Sequence, residues 1–146
     1  MSGQNISSVH LGELNADGRP DLLVVGGEMA DAAILLNTTA VGTPPTFGVP
    51  TPMTFEGAIA TAGFADFDQD GTMDVIAPMR QSERLTLMLG TTPPGSMTTS
   101  FRPPRRGFVT ARVPSSLAIA DLDGDGKPDV AVTNELSGSV SVLLAQ

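Results

Sequence analysis

Apolar and polar positions along this chain fall into short runs, and the runs recur three times in one order. An alternating or apolar run covers Ile6 to Leu14, Ile59 to Phe67 and Leu117 to Leu122. A second run leaves an acidic stretch, as DLLVVGG from Asp21, DVIAPM from Asp74 and DVAVTN from Asp129. After a short polar turn comes a third: Ala32 to Leu36, Leu85 to Leu89 and Ser139 to Leu144. Segments of about five to seven residues, rich in Val, Ile and Leu and bounded by Gly, Asp or Asn, predict strands of an antiparallel meander. No stretch sustains a helical period.

The longer connections, Thr38 to Phe55 and Thr91 to Phe108, hold Pro-rich turns and a Phe pair each, Phe47 with Phe55 and Phe101 with Phe108. A fourth strand is expected within each, at a sheet edge, where Pro is tolerated. Four strands repeated at this spacing predict a blade of a β-propeller. The fold class expected is therefore all-β: three four-stranded antiparallel repeats in one domain over residues 1–146, with blades near 6–55, 56–110 and 111–146. The last blade is expected to be incomplete, and the whole a half-propeller.

Between the first two runs of each repeat lies a nine-residue acidic frame, starting at 13, 66 and 121. The third copy, DLDGDGKPD, has Asp121, Asp123, Asp125 and Asp129 at positions 1, 3, 5 and 9, and Gly126 at position 6, where a sharp turn favours a residue without Cβ. Ca²⁺ takes about six to eight oxygen ligands, and alternate residues of a curled loop can aim several carboxylates at one point. The Lys127 carbonyl at position 7 would complete the set. The second copy, DFDQDGTMD, offers Asp66, Asp68, Asp70, the Thr72 carbonyl and Asp74. The first, ELNADGRPD, offers Glu13, Asn15, Asp17, the Arg19 carbonyl and Asp21; with one carboxylate fewer, it is expected to bind most weakly. Up to three Ca²⁺ ions are expected, one per repeat.

An EF-hand begins in the same way but needs a bidentate Glu at position 12 and flanking helices. Here position 12 is Val24, Ala77 or Val132, each inside a strand-like run. Asp-Gly pairs alone could be hairpin turns, yet three copies in one frame favour metal.

Charge placement points the same way. The net charge is −8, and the three frames hold 11 of the 16 acidic residues. Carboxylates gathered in three knots suggest neutralisation by cations, and an acidic chain is a poor nucleic-acid binder. Hydrophobic residues make up 40% and charged residues 16% of the 146, a globular balance. No run approaches the length of a membrane span, and the N-terminal residues do not read as a secretory signal. With no cysteine, disulfides and thiolate chemistry are excluded.

The stretches Ala65 to Ala77 and Ala120 to Val132, and more loosely Gly12 to Val24, resemble the FG-GAP or VCBS repeat of integrin α-chain propellers and many bacterial extracellular proteins; Phe47-Gly48 matches the "FG" ahead of the second loop. The resemblance implies a propeller whose calcium loops join the first two strands of each blade, an extracellular or cell-surface location, and a role in adhesion or ligand binding.

Leu14, Phe67 and Leu122 share position 2 of the frame and are expected to be plugs that anchor each loop. Arg102, Arg105, Arg106 and Arg112 form a basic cluster, expected to be solvated or between blades, though Arg suits oxyanion recognition. His10, the only histidine, stands in a strand pattern with no Cys or Ser-rich elbow nearby, so catalysis is not expected. The expected function is a non-catalytic binding, adhesion or assembly module with a protein or glycan ligand. The alternatives are a carbohydrate-binding lectin, which the absence of Trp and Tyr disfavours, and a piece of a larger secreted propeller protein or enzyme. Propellers close with about four to eight blades, so if identical three-blade chains close a ring, the expected product is a C₂ homodimer of six blades.

Overall fold

A computed structural model of the protein describes residues 6–26 and 31–145, so the MSGQN start and the Gly27 end of the second run lie outside the described residues. Within them the chain is all-β, with no helix, and forms three antiparallel sheets of the propeller-blade type. The first holds β1 (Ile6–Gly12), β2 (Asp21–Gly26), β3 (Asp31–Leu35) and β4 (Thr51–Thr54) in sequence order. Next come β5 (Gly63–Ala65), β6 (Asp74–Met79), β7 (Arg84–Met88) and β8 (Arg105–Val109), and the third sheet has β9 (Pro114–Ala120), β10 (Asp129–Asn134) and β11 (Ser139–Leu143). The fourth strands appear where Pro-rich connections predict them, with Pro52 inside the edge strand β4. One strand is shorter than its sequence suggests. The Ile59 to Phe67 run yields only Gly63–Ala65, because Ile59 makes an isolated bridge to Met79 on the strand's neighbour.

The period of two sorts side chains between the faces of each sheet, and here both faces of the middle sheet are covered. Leu23 and Val25 of β2, Ala32 and Ile34 of β3 and Met53 of β4 pack in one core with Val75, Ala77 and Met79 of β6. On the other side of the middle sheet, Ile76, Leu85 and Leu87 meet Val130 and Val132 of β10, with Leu117, Ile119 and Leu143 packed against them. A direction follows. In the strand after each loop, frame positions 11 and 13 face the next sheet and positions 10 and 12 face the previous one.

The innermost strands crowd where the blades converge. A Cβ on Gly12 would overlap the Phe64 ring, and one on Gly63 would come within 2.7 Å of both Leu117 and Ile119. The two ends of the stack differ from its middle. Val9 and Leu11 of β1 are exposed on the leading face, and Val140 and Val142 of β11 on the trailing face.

Candidate metal centres

Each acidic frame is held at both ends by strands, and its position 9 does most of the holding. Asp21, Asp74 and Asp129 are all fully out of solvent contact. One oxygen of each accepts the N–H of frame position 2, from Leu14, Phe67 or Leu122, at 2.8 Å. The other accepts a backbone N–H sixteen residues on: Asn37 at 2.8 Å, Gly90 at 2.7 Å and Ala145 at 2.8 Å. A carboxylate buried this way ties the loop to the end of the third strand, and its remaining lone pairs can still reach a cation.

Two left-handed residues curl each loop. Position 6 has φ of 82°, 88° and 85° at Gly18, Gly71 and Gly126, as the glycine there implies. Position 4 is left-handed as well, at Ala16 (56°), Gln69 (57°) and Gly124 (83°). The sequence conceals this, since only one of the three is glycine.

Inside the curl the loops diverge. In loop 2, one carboxylate oxygen from each of Asp66, Asp68 and Asp70 lies within 4.8 Å of the others, and in loop 3 the same holds for Asp121, Asp123 and Asp129. Backbone N–H groups brace these side chains: Asp66 accepts from Asp70 and Gly71, and Asp121 from Gly124 and Gly126. Asp70 accepts from the Thr72 hydroxyl and N–H, which hold its carboxyl below the usual carboxylate range. Asp125 accepts from the Lys127 N–H at 2.9 Å and has the Lys127 ammonium 3.4 Å away, at the rim of loop 3.

Loop 1 brings no such carboxylate trio together. Asp17 is ion-paired with the Arg19 guanidinium. Its carboxyl is desolvated, which alone would push it up, yet hydrogen bonds from Arg19 and Asn15 hold it below the usual range. Glu13 accepts from the N–H groups of Asn15 and Asp17. Asn15 is 4% exposed, and its amide donates to the Ser96 carbonyl at 2.7 Å, a contact from the connection that follows β7. The Asn15 Oδ1 atom has no hydrogen-bond partner. An acceptor buried without a donor fits a cation beside it.

The enclosing protein also sets the protonation of position 9. Burial pushes Asp21 and Asp74 up despite their two N–H donors. For Asp129 the order reverses. The Ala145 and Leu122 N–H donors hold it below the usual range, and among the described residues no further sheet lies beyond it to deepen the desolvation.

Position 12 carries Val24, Ala77 and Val132, all buried in strands, so the EF-hand geometry is absent from the described residues. The expected plugs divide. Leu14 belongs to the first core and Phe67 packs against the second. Leu122 does not plug anything: it is 52% exposed, because position 2 fills the gap to the following sheet, and among the described residues no sheet follows β11. Phe47 and Phe101 play equivalent parts, bridging Asn37 and Gly90 just past the third strands. Of the basic cluster, Arg112 faces Glu83 at 3.8 Å, and Arg102 and Arg105 border a groove between the second and third sheets. The Arg106 side chain lies outside the described residues. His10 lies within 3.1 Å of the Ser8 and Thr61 hydroxyls, and desolvation holds its imidazole below the usual histidine range.

A model of the FG-GAP-like repeat matches residues 13–77, and a model of the FG-GAP repeat matches residues 113–143. Among curated proteins, none matches this chain.

Proposed function

The chain carries FG-GAP-type repeats, and from that premise we propose that it is a calcium-stabilised, non-catalytic propeller module that binds and assembles through its sheet faces. The observation that carries the metal reading is the carboxylate trio in loops 2 and 3, with oxygens within 4.8 Å of one another. Like charges that close repel unless a cation sits among them. The donors are hard oxygens braced by backbone N–H groups, which suits Ca²⁺. In loop 2 the holders would be Asp66, Asp68, Asp70, Asp74 and the Thr72 carbonyl; in loop 3, Asp121, Asp123, Asp125, Asp129 and the Lys127 carbonyl. Loop 1 would offer Glu13, Asn15, Asp17, Asp21 and the Arg19 carbonyl, with the buried Asn15 Oδ1 as its best-placed free acceptor. Bound there, Ca²⁺ would supply charge neutralisation and rigidity rather than reactivity.

FG-GAP repeats are typical of extracellular proteins, and among the described residues no helix is long and apolar enough to cross a membrane. An extracellular setting accords with calcium dependence, because extracellular modules work with affinities of about 10⁻⁴ to 10⁻³ M.

Assembly follows from the directionality of the sheets. The third sheet ends in an exposed forward face, with Val140 and Val142 uncovered; the first begins with an exposed backward face, with Val9 and Leu11 uncovered. The middle sheet supports the pairing, since there a forward face and a backward face bury each other on both sides. A second copy set head to tail would cover one face with the other, twice, and close a six-blade ring with C₂ symmetry.

Titration calorimetry with Ca²⁺ on the chelator-treated protein tests the metal reading: heat of binding and a raised melting temperature are expected, and no uptake with an unchanged melting curve would sink it. Light scattering in calcium tests the assembly. A mass of roughly twice 15.0 kDa is expected, and a well-folded monomer at high concentration would overturn the ring.

A further inference from the structure

The Pro-rich connections after β3 and β7 leave their sheets as narrow fingers of one build. At the root, Asn37 bridges Phe47 and Gly90 bridges Phe101. One step up, Thr38 and Thr91 donate their N–H groups across to the Thr46 and Ser100 carbonyls. The second finger, residues 91–100, is stiff along its length. The Ser100 N–H donates to the Thr92 hydroxyl at 3.0 Å, and the Ser96 N–H closes a turn on the Pro93 carbonyl at 3.1 Å. Pro94 and Gly95 hold the two middle places of that turn, with Gly95 at the left-handed φ of 69° that a Pro-Gly turn requires.

The root of this finger sits on loop 2. The Gly90 N–H donates to buried Asp74 at 2.7 Å, and a Cβ on Gly90 would come within 2.3 Å of the Met73 carbonyl oxygen and 3.1 Å of the Thr72 hydroxyl. Positions 7, 8 and 9 of that frame thus press on the residue from which the finger rises. The tip reaches back to loop 1, on the preceding sheet. There the Gly95 N–H donates to the Asn15 carbonyl, and the Asn15 side-chain amide donates to the Ser96 carbonyl at 2.7 Å. With Nδ2 held by Ser96, Oδ1 is the end of the amide left as a free acceptor, and it is buried without a partner. Pro93, Pro94, Met97 and Thr98 are all exposed, so hydrogen bonds to Asn15 rather than apolar burial seat the tip.

We propose that the finger is a relay between loops 1 and 2. A cation in loop 2 fixes Thr72, Met73 and Asp74, and with them the root; the stiff finger carries that placement to its tip; and the tip holds Asn15 with its oxygen free for a cation in loop 1. The element with two states is the tip, seated on Asn15 or released. Filling either loop raises the affinity of the other, because a coupling between two binding sites is reciprocal. Gly95 and Ser96 are thus positioning residues for loop 1, although they belong to the next sheet and lie outside its frame. The relay rests on the calcium reading of both loops.

The test follows the position 6 amides by NMR, Gly18 for loop 1 and Gly71 for loop 2, while the chelator-treated full chain is titrated with Ca²⁺. Asp68→Ala, which takes a carboxylate from loop 2, should raise the calcium concentration that half-saturates Gly18 at least about fivefold. Hydrogen exchange at the Gly95 amide should slow when calcium is added to the unaltered chain, and slow less in Asp68→Ala. In a second chain, Asn-Gly replaces residues 93–98, which joins Thr92 to Thr99 by a two-residue hairpin turn and removes the tip. With circular dichroism unchanged, Asp68→Ala in that chain should no longer move Gly18. If Asp68→Ala leaves Gly18 where it was, or the shortened finger keeps the fivefold dependence, the relay is overturned while the calcium reading stands. Gly95 exchange indifferent to calcium would overturn the relay without any change to the finger. If neither Gly18 nor Gly71 responds to calcium, the calcium reading fails and the relay with it.

Discussion

Loops 1 and 3 are built on one nine-residue frame and meet the same electrostatic problem in different ways. In loop 3 the carboxylates of Asp121, Asp123 and Asp129 converge, with only Lys127 at the rim as counter-charge. In loop 1 the protein supplies much of the balance itself, through Arg19 on Asp17 and through Asn15, whose amide is held by Ser96. Loop 1 is also walled in by the connection that follows β7, whereas among the described residues no sheet lies beyond loop 3. A shared frame therefore fixes the curl of the backbone but not the source of the neutralising charge. Dependence on a cation should grow from loop 1 to loop 3, and dependence on packing should grow the other way.

The largest effect should come from the position 9 carboxylate that both loops share. Asp21→Ala removes the acceptor for the Leu14 and Asn37 N–H groups. Each buried donor left unmatched costs about 1 to 3 kcal/mol, so a loss of about 2 to 6 kcal/mol is expected in chemical denaturation. Asp129→Ala should cost less, since Leu122 is exposed and water can replace the lost acceptor. Equal losses at the two sites would mean that packing around the staple is the same, and would remove the packing half of the comparison.

The cation half is sharpened by Arg19→Gln. Taking the guanidinium from Asp17 should raise the calcium affinity of loop 1, whereas Asp123→Asn should lower that of loop 3. An occupied site adds about 2.7 kcal/mol of stability when free calcium is a hundred times the dissociation constant. The melting shift between calcium and chelator should therefore widen for Arg19→Gln and narrow for Asp123→Asn. If Arg19→Gln leaves the shift and the calorimetric stoichiometry unchanged, Arg19 is not what limits loop 1.

What the sequence disclosed, and what it hid, follows the same physical line. Strand positions were legible because the period of two and the Asp-Gly punctuation are local. The second run of every repeat begins at the residue expected, Asp21, Asp74 and Asp129. The staple role of those aspartates was hidden because their second donor is a backbone N–H, carried by three unlike residues, Asn37, Gly90 and Ala145, that leave no shared side-chain signal. The grip of Ser96 on Asn15 spans 81 positions, beyond any local pattern. Leu122 misled because a plug needs a neighbouring sheet, and the frame alone does not say whether one is there.

Backbone strain gives a smaller and cleaner contrast. Position 4 is left-handed in both loops, but loop 3 has Gly124 there and loop 1 has Ala16. An L-residue in that region costs about 1 to 2 kcal/mol. Gly124→Ala should destabilise by about that amount, and Ala16→Gly should gain less than about 1 kcal/mol, because glycine also loosens the unfolded chain. Thermal denaturation of the two variants in chelator reads both signs. A loss on Ala16→Gly would show that the loop 1 backbone is set by its wall of contacts rather than by its own strain.

The smallest effect is a difference in how the two loops answer acid in the absence of metal. Asp21 sits above its ordinary pKa because of burial, so the folded state holds that proton more tightly than the unfolded chain does. As pH falls through the raised folded value and then the ordinary value near 4, protonation of Asp21 favours the folded loop. Asp129 sits below its ordinary value because the Ala145 and Leu122 N–H groups stabilise its charge. Its contribution is present above the ordinary value and is lost as pH falls through it toward the lower folded value. Asp17 works against Asp21 within loop 1, since its pKa is lowered as well, so the readout must be local to the staples. In chelator, NMR signals of the Leu14 and Asn37 amides should shift first as pH falls, above the ordinary carboxylate value near 4, and those of Leu122 and Ala145 only below it. If the Leu122 and Ala145 amides respond first, burial is not what separates the two carboxylates.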